Sequence, residues 1–208
     1  MRLPLFKKDG DYEAFQHVLA ASLERTDAPS LLAYCLMPNH WHLVVQAGKQ
    51  THLSTWMQWL TVTHTHRWHG HYNAVGEGPL YQGRFKSFPV QEDAHFLTVC
   101  RYVEANGLRA GLVQRAEDWP WGSLWCRRHR QAELYAWLRP WPVDPPRNWL
   151  ADVNRAIEDE ALRRVQRSVT RSMPLGSATW QSRIARKLNL PTTMRPRGRP
   201  RKDPEKSS

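Results

Sequence analysis

Two short apolar runs, residues 31–36 and 41–46, are separated only by Met-Pro-Asn-His, and this arrangement constrains the chain more than any other feature. Pro38 fixes its own φ and Asn39 tolerates the dihedrals of a tight turn, so the two runs are expected to pair as an antiparallel hairpin. Ahead of them, Tyr12, Phe15, Val18, Leu19 and Leu23 recur at the i, i+3, i+4 spacing of an amphipathic helix over 11–25. Leu53, Trp56, Met57 and Leu60 predict a second helix over 51–68, with Thr51 or Ser54 able to cap its start. Gly76, Gly78 and Pro79 mark a loop, and residues 81–90 (YQGRFKSFPV) read as a strand whose Pro89 must lie at an end or on an edge. Phe96, Val99, Cys100 and Val103 form the buried stripe of a third helix over 91–106, with Gly107 placed as its C-terminal cap. The order helix, strand, strand, helix, strand, helix implies an α+β fold, an antiparallel sheet with helices on one face.

The rest of the chain is built differently. Of its 208 residues, 41% are hydrophobic and 11 are Trp, enough for a core, while no apolar run approaches the roughly 18 residues of a membrane span. Cys35, Cys100 and Cys126 have neither disulfide nor metal-finger spacing, which points to a reducing, cytoplasmic setting. Helical patterns resume over 151–169 and 179–190 after a Trp- and Pro-rich stretch at 137–149. Residues 1–125 are therefore expected to form the chemical domain, 126–190 a linker and helical C-terminal region, and 191–208 a disordered basic tail. The net charge of +11 is unevenly spread: residues 161–208 carry 13 Lys and Arg against two acids, whereas residues 1–160 balance 17 against 17. A neutral body holding all ten histidines, followed by a cationic end, suggests chemistry in front and polyanion attachment behind.

Three His-x-His pairs occur, His40/His42, His64/His66 and His69/His71. On a strand, residues i and i+2 share a face, so His40 and His42 can aim both rings at one ion, although the spacing fits polar residues on a sheet face equally well. On a helix the same spacing diverges by about 200°, which removes His64/His66 as a shared site, and the third pair is expected in a Gly-containing loop of unspecified geometry. Tyr102 and Asn106 are i and i+4 on the third helix, on its polar edge. Tyr102 is a candidate nucleophile, and the pattern also fits a tyrosine whose hydroxyl finds a surface partner. Arg84 and Lys86 alternate to one face of the expected strand 81–90, where they either steer phosphates or form a solvated face.

The segments LMPNHWHLVV (36–45), YQGRFKSFPV (81–90), RYVEANGLRAGLV (101–113), WPWGSL (119–124) and RPRGRPRK (195–202) together resemble the REP-associated tyrosine transposases, within the one-tyrosine HUH nucleases of insertion sequences. The resemblance implies a ferredoxin-like sheet, His40 and His42 as metal ligands with Asn106 as a third, Tyr102 as nucleophile, and Mg or Mn as the divalent ion. It implies cleavage and rejoining of single-stranded DNA at imperfect-palindrome hairpins through a covalent 5′-phosphotyrosine. Such a protein would be cytoplasmic and associated with the nucleoid. Members of that family usually carry a further strand before the first helix, whereas only ten residues precede Asp11, so the first strand is expected to be missing and one sheet edge to be left unpaired. Gly107 and Gly122 stand where the family commonly has Pro and Ser. Arg197, Gly198, Arg199 and Pro200 resemble an AT-hook core for A·T-rich duplex, flanked by Arg195, Arg201 and Lys202 as further DNA-binding residues, and the same stretch fits a nonspecific phosphate-binding arm. The rival readings are a catalytically impaired DNA-hairpin-binding protein derived from such a transposase, and a metal-dependent hydrolase without a covalent tyrosine.

Overall fold

The computed structural model describes residues 4–130 and 133–194. Helix α1 (Asp9–Leu23) starts where the Asp11 carboxylate accepts the backbone N–H groups of Lys7 and Lys8, at 2.7 and 3.2 Å, satisfying donors that the helix itself cannot. Strands β1 (Ser30–Met37) and β2 (His40–Gln46) then pair antiparallel through the two-residue turn Pro38-Asn39, placing Met37 opposite His40 and Cys35 opposite His42. Helix α2 (Leu53–Tyr72) runs four residues beyond the expected end at 68, so His69 and His71 lie on its last turn and not in a loop, and it stops at Asn73, which takes the left-handed φ of 50°.

The hairpin has helices on both faces, not on one. Tyr34 and Leu36 of β1 point into a cluster with Phe15 and Leu19 of α1 and Trp56 and Leu60 of α2. Ala33, Cys35 and Met37 point the other way, into a cluster with Phe96, Val99 and Val103 of α3 (Ala94–Glu104). A register irregularity between Leu31 and Ala33 puts Leu32 and Ala33 on the same side, after which strict alternation resumes. The class is α+β as expected, with a sheet of two antiparallel strands among the described residues.

Residues 81–90 do not form a strand. Gly83 has a φ of 92°, Pro89 cannot donate, and only Val90 makes a bridge, to Leu175. A left-handed Gly inside the run and a Pro without an N–H near its end interrupt the extended backbone and donor pattern that a ladder requires. The segment is anchored at its ends: the Tyr81 hydroxyl meets His64 Nδ1 at 2.6 Å and accepts Trp41 Nε1 at 3.2 Å, while Leu175 N donates to Pro89 O at 2.9 Å.

The outer edge of β1 is closed by residues far along the chain. Leu36 N donates to Trp121 O at 2.8 Å, and Leu36 O accepts the Trp119 indole at 2.9 Å. Leu31 O accepts Arg139 N at 2.9 Å, and Leu32 O accepts both Arg127 Nη2 at 2.7 Å and the Trp141 indole at 2.8 Å. The expectation of an unpaired edge is thereby corrected: side chains and irregular backbone supply the partners that a strand would otherwise supply.

Helix α3 ends at Glu104, and α4 (Asn106–Arg109) follows directly. Gly107 therefore sits inside a helical turn instead of capping one. Its role is close packing, since a Cβ there would lie 2.7 Å from Cγ of Trp119. Helix α5 (Ser123–His129) packs beneath, where Ser123 donates to the fully buried Glu104 carboxylate at 2.7 Å. The helix expected over 151–169 is split into α6 (Trp149–Asn154) and α7 (Asp159–Arg171), and α8 (Ala178–Lys187) and the single turn α9 (Pro191–Met194) complete the described chain.

Candidate active site

Alternation along β2 decides which side chains meet α3. His40, His42 and Val44 fall on the α3 side, while Trp41, Leu43 and Val45 pack against the α1–α2 cluster. The His40 and His42 rings lie edge to face with centroids 4.9 Å apart. His42 in turn meets the Tyr102 ring, 5.7 Å between centroids and 80° between planes. Two residues from a strand and one from a helix, sixty positions later, thus form one continuous row. Tyr102 is nearly buried at 9% exposure, and His40 Nδ1 lies 2.6 Å from the Asn39 carboxamide oxygen at the outer end of the row.

His42 is the unusual member. The residue as a whole is half-buried, but its Nε2 is closed off from solvent and has no hydrogen-bond partner. Burial, then the neighbouring His40 and Arg109, push its pKa down to about 3, so the ring is neutral at any physiological pH. A neutral imidazole nitrogen shielded from water and short of a partner carries an uncompensated desolvation cost, and a lone pair in that condition is suited to a metal. The donor set around it is lean: among the described residues no group of three or more His, Cys, Asp or Glu side chains could hold an ion. A third protein ligand drawn from the described residues is therefore of another type. Asn106 is buried at 7% exposure and donates its carboxamide nitrogen to Tyr102 O at 2.7 Å and Val103 O at 3.3 Å, which leaves the oxygen as its acceptor end.

Arg109 completes the row and is a residue that sequence reasoning missed. Its guanidinium carbon stands 4.7 Å over the Tyr102 ring, and the residue is otherwise exposed. The i, i+7 relation to Tyr102 was available as a signal, but the break at Ala105 hides it behind Asn106 and Gly107. Among the remaining expected residues, Arg84 and Lys86 are exposed on the irregular segment 81–90 and share no strand face. Arg195, Arg197, Gly198, Arg199, Arg201 and Lys202 lie outside the described residues.

The other His-x-His pairs do not converge. His64 is buried in the α1–α2 cluster with its Nδ1 on Tyr81, while His66 is exposed on the same helix. His69 Nδ1 lies 2.6 Å from Ala74 O, so it binds the turn that ends α2, and His71 is exposed.

The family model of IS200-like transposases matches residues 1–106, a span that holds His40, His42, Tyr102 and Asn106. The chain belongs to this family. As an IS200-like transposase it is a DNA-processing enzyme, and DNA transposition is the activity its family performs. No curated protein and no solved structure matches the chain. Among the described residues, no helix of this transposase is long and apolar enough to cross a membrane.

Proposed function

We propose that this IS200-like transposase is of the REP-associated, one-tyrosine type, cutting and rejoining single-stranded DNA at imperfect-palindrome hairpins with Tyr102 as nucleophile. The observation that carries the reading is the row His40–His42–Tyr102, in which the strand pair and the helix tyrosine come into ring contact. His40 and His42 would hold a divalent ion, with the Asn106 oxygen as a third ligand, and the orphaned Nε2 of His42 fits that role. When bound, Mg or Mn supplies positive charge against a non-bridging phosphate oxygen and so lowers the cost of the charge that develops there.

The protein's own groups account for the rest. The Tyr102 hydroxyl attacks the scissile phosphorus in line, losing its proton to solvent, as the bond to the departing 3′-oxygen breaks. The product is a 5′-phosphotyrosine and a free 3′-hydroxyl. The ester energy is retained, so a 3′-hydroxyl can reverse the step without ATP. Arg109, over the Tyr102 ring, adds a fixed cation where the anionic phosphate must arrive. Arg84, Lys86 and the arginines of the tail would hold flanking phosphates, the tail with a preference for A·T-rich duplex.

Incubation of the protein with labelled hairpin-bearing single strands and Mg or Mn, followed by denaturing gels, is the direct test. A metal-dependent covalent adduct that disappears in Tyr102→Phe is expected. An adduct that survives in Tyr102→Phe would remove Tyr102 from the mechanism, and hairpin binding with no adduct under any metal would favour a DNA-binding protein that has lost the chemistry.

A further inference from the structure

Seven of the cations behind the excess positive charge lie in residues 161–190, a stretch with no acidic residue. Four of them are on α7. At 100° per residue, Arg163, Arg164, Arg167 and Arg171 fall within about 100° of arc, one face of the helix. The other side of α7, with Leu162, Val165 and Val169, is packed into the same apolar cluster that contains Tyr102. Among the described residues none of the four arginines forms an ion pair. The acids of the first turn, Asp159 and Glu160, mark the end of the arginine face.

One contact ties this face to α3 itself, and a second joins the segment that precedes α3 to the one that follows α7. Arg164 Nη2 lies 3.1 Å from His95 Nε2, and His95 Nδ1 lies 2.7 Å from Asp93 Oδ1. A guanidinium can only donate, so Nε2 is the acceptor, and Nδ1 carries the proton that goes to Asp93. His95 is seven residues before Tyr102 and therefore on the same stripe of α3, about 10 Å along its axis. That distance corresponds to roughly three nucleotides of stacked strand at 3.4 Å each. The second tie follows α7: Gln91 N donates to Leu175 O at 2.9 Å, and Ser177 N donates to Gln91 Oε1 at 2.9 Å. Gly176 sits so close to this junction that a Cβ would lie 2.6 Å from the Trp180 ring and 2.7 Å from Gln91 Oε1. The two ties set α7 in register with the stripe that bears Tyr102.

We propose that the arginine face of α7 is a track for the phosphate backbone of the strand that Tyr102 attacks, entered through Arg164 a few nucleotides from the scissile phosphate. The proposal rests on the assigned reaction for the identity of the strand, whereas the charge and docking arguments stand without it. Four guanidiniums with no ion pair among the described residues, on a helix fixed beside the nucleophile, would hold the substrate in register and contribute affinity that falls with salt.

The test uses the full chain carrying Tyr102→Phe and fluorescein-labelled oligo(dT), with anisotropy titrations over a salt series. Adding Arg164→Gln, Arg167→Gln and Arg171→Gln should lower the slope of log K against log salt by about 2, at roughly 0.7 per lost single-strand phosphate contact. A control with the same loss of charge, Lys49→Gln, Arg67→Gln and Arg128→Gln, alters exposed residues away from α3 and should change the slope far less. Equal slopes for the two triple variants would overturn the track. With Tyr102 restored, the α7 variant should form adduct more slowly at limiting DNA and at the parental rate at saturation, and an unchanged rate at limiting DNA would also overturn it. If the parent protein forms no adduct, the assigned reaction fails, and the anisotropy comparison still decides whether α7 binds DNA.

Discussion

The two faces of the β1–β2 hairpin each bury a histidine, and the two are treated in opposite ways. His64, on the α1–α2 side, is surrounded by the Phe6 and Phe15 rings at 5.9 and 4.9 Å and has the Tyr81 hydroxyl at 2.6 Å. His42, on the α3 side, lies against His40 and Tyr102 and keeps an enclosed nitrogen without a partner. Burial lowers the pKa of both, to about 4 and about 3 respectively, so protonation does not distinguish them at neutral pH. Hydrogen bonding does. A buried imidazole whose lone pair or proton is used by the fold contributes to stability, and one whose nitrogen is left over adds no such bond.

This contrast is sharpened or broken most directly at the chemistry. His42→Ala should reduce adduct formation by at least about 10³-fold while shifting the thermal midpoint little, since no hydrogen bond of Nε2 is lost. Comparable activity in the variant would show that the orphaned nitrogen has no role. Next in size, His64→Ala should cost roughly 2–4 kcal/mol of stability through the cavity and the abandoned Tyr81 hydroxyl, with adduct yield per folded molecule unchanged. Urea unfolding together with the gel assay reads both quantities, and a loss of chemistry larger than the loss of folded protein would erase the distinction.

Acidity gives a smaller effect with a definite sign. The folded state holds His64 neutral down to about pH 4, whereas the unfolded chain takes up that proton near 6.5. The stability contributed by the neutral ring is therefore complete above about pH 6.5. It declines by up to about 1.4 kcal/mol per unit as the pH falls towards 4. Replacing His64 by Gln should flatten that part of the stability profile, and a profile identical to the parent's would show that another group governs acid unfolding. The smallest expected effect is that of His66→Ala, an exposed position on α2, within about 0.5 kcal/mol and without change in adduct yield. A pronounced loss there would mean that the pair His64/His66 acts together in spite of the helix.

The comparison also explains which parts of the molecule were legible in the sequence. The hairpin was, because two apolar runs around Pro38-Asn39 leave few alternatives, and the period of two in β2 puts His40 and His42 on one face. The i, i+4 spacing placed Asn106 near Tyr102, and its carboxamide does reach the Tyr102 backbone oxygen, although α3 ends at Glu104 and Asn106 belongs to α4. What was not legible depends on partners distant in the chain. Residues 81–90 have strand composition, but they are held at Tyr81 by His64 and at Val90 by Leu175, both distant in the chain, and run irregularly between them. Gly107 looked like a helix cap because the indole of Trp119 that packs against it is twelve residues away. Arg109 falls beyond a helix break, and the covering of the sheet by helices on both faces depends on which side α3 chooses to pack.

The closure of the outer edge of β1 has a consequence for the order in which the protein can be made. Leu32 O waits for Arg127 and Trp141, 95 and 109 residues later, and Leu36 waits for Trp119 and Trp121. A growing chain on the ribosome can zip β1 to β2 as soon as residue 46 is free, yet the far side of β1 stays bare until residue 141 has emerged. During that interval the nascent hairpin offers an open template to any other extended segment. The histidine row therefore rests on a scaffold finished only after nearly a hundred further residues have been translated, and premature termination between those points would release a product with a complete His40–His42 strand and an unfinished sheet.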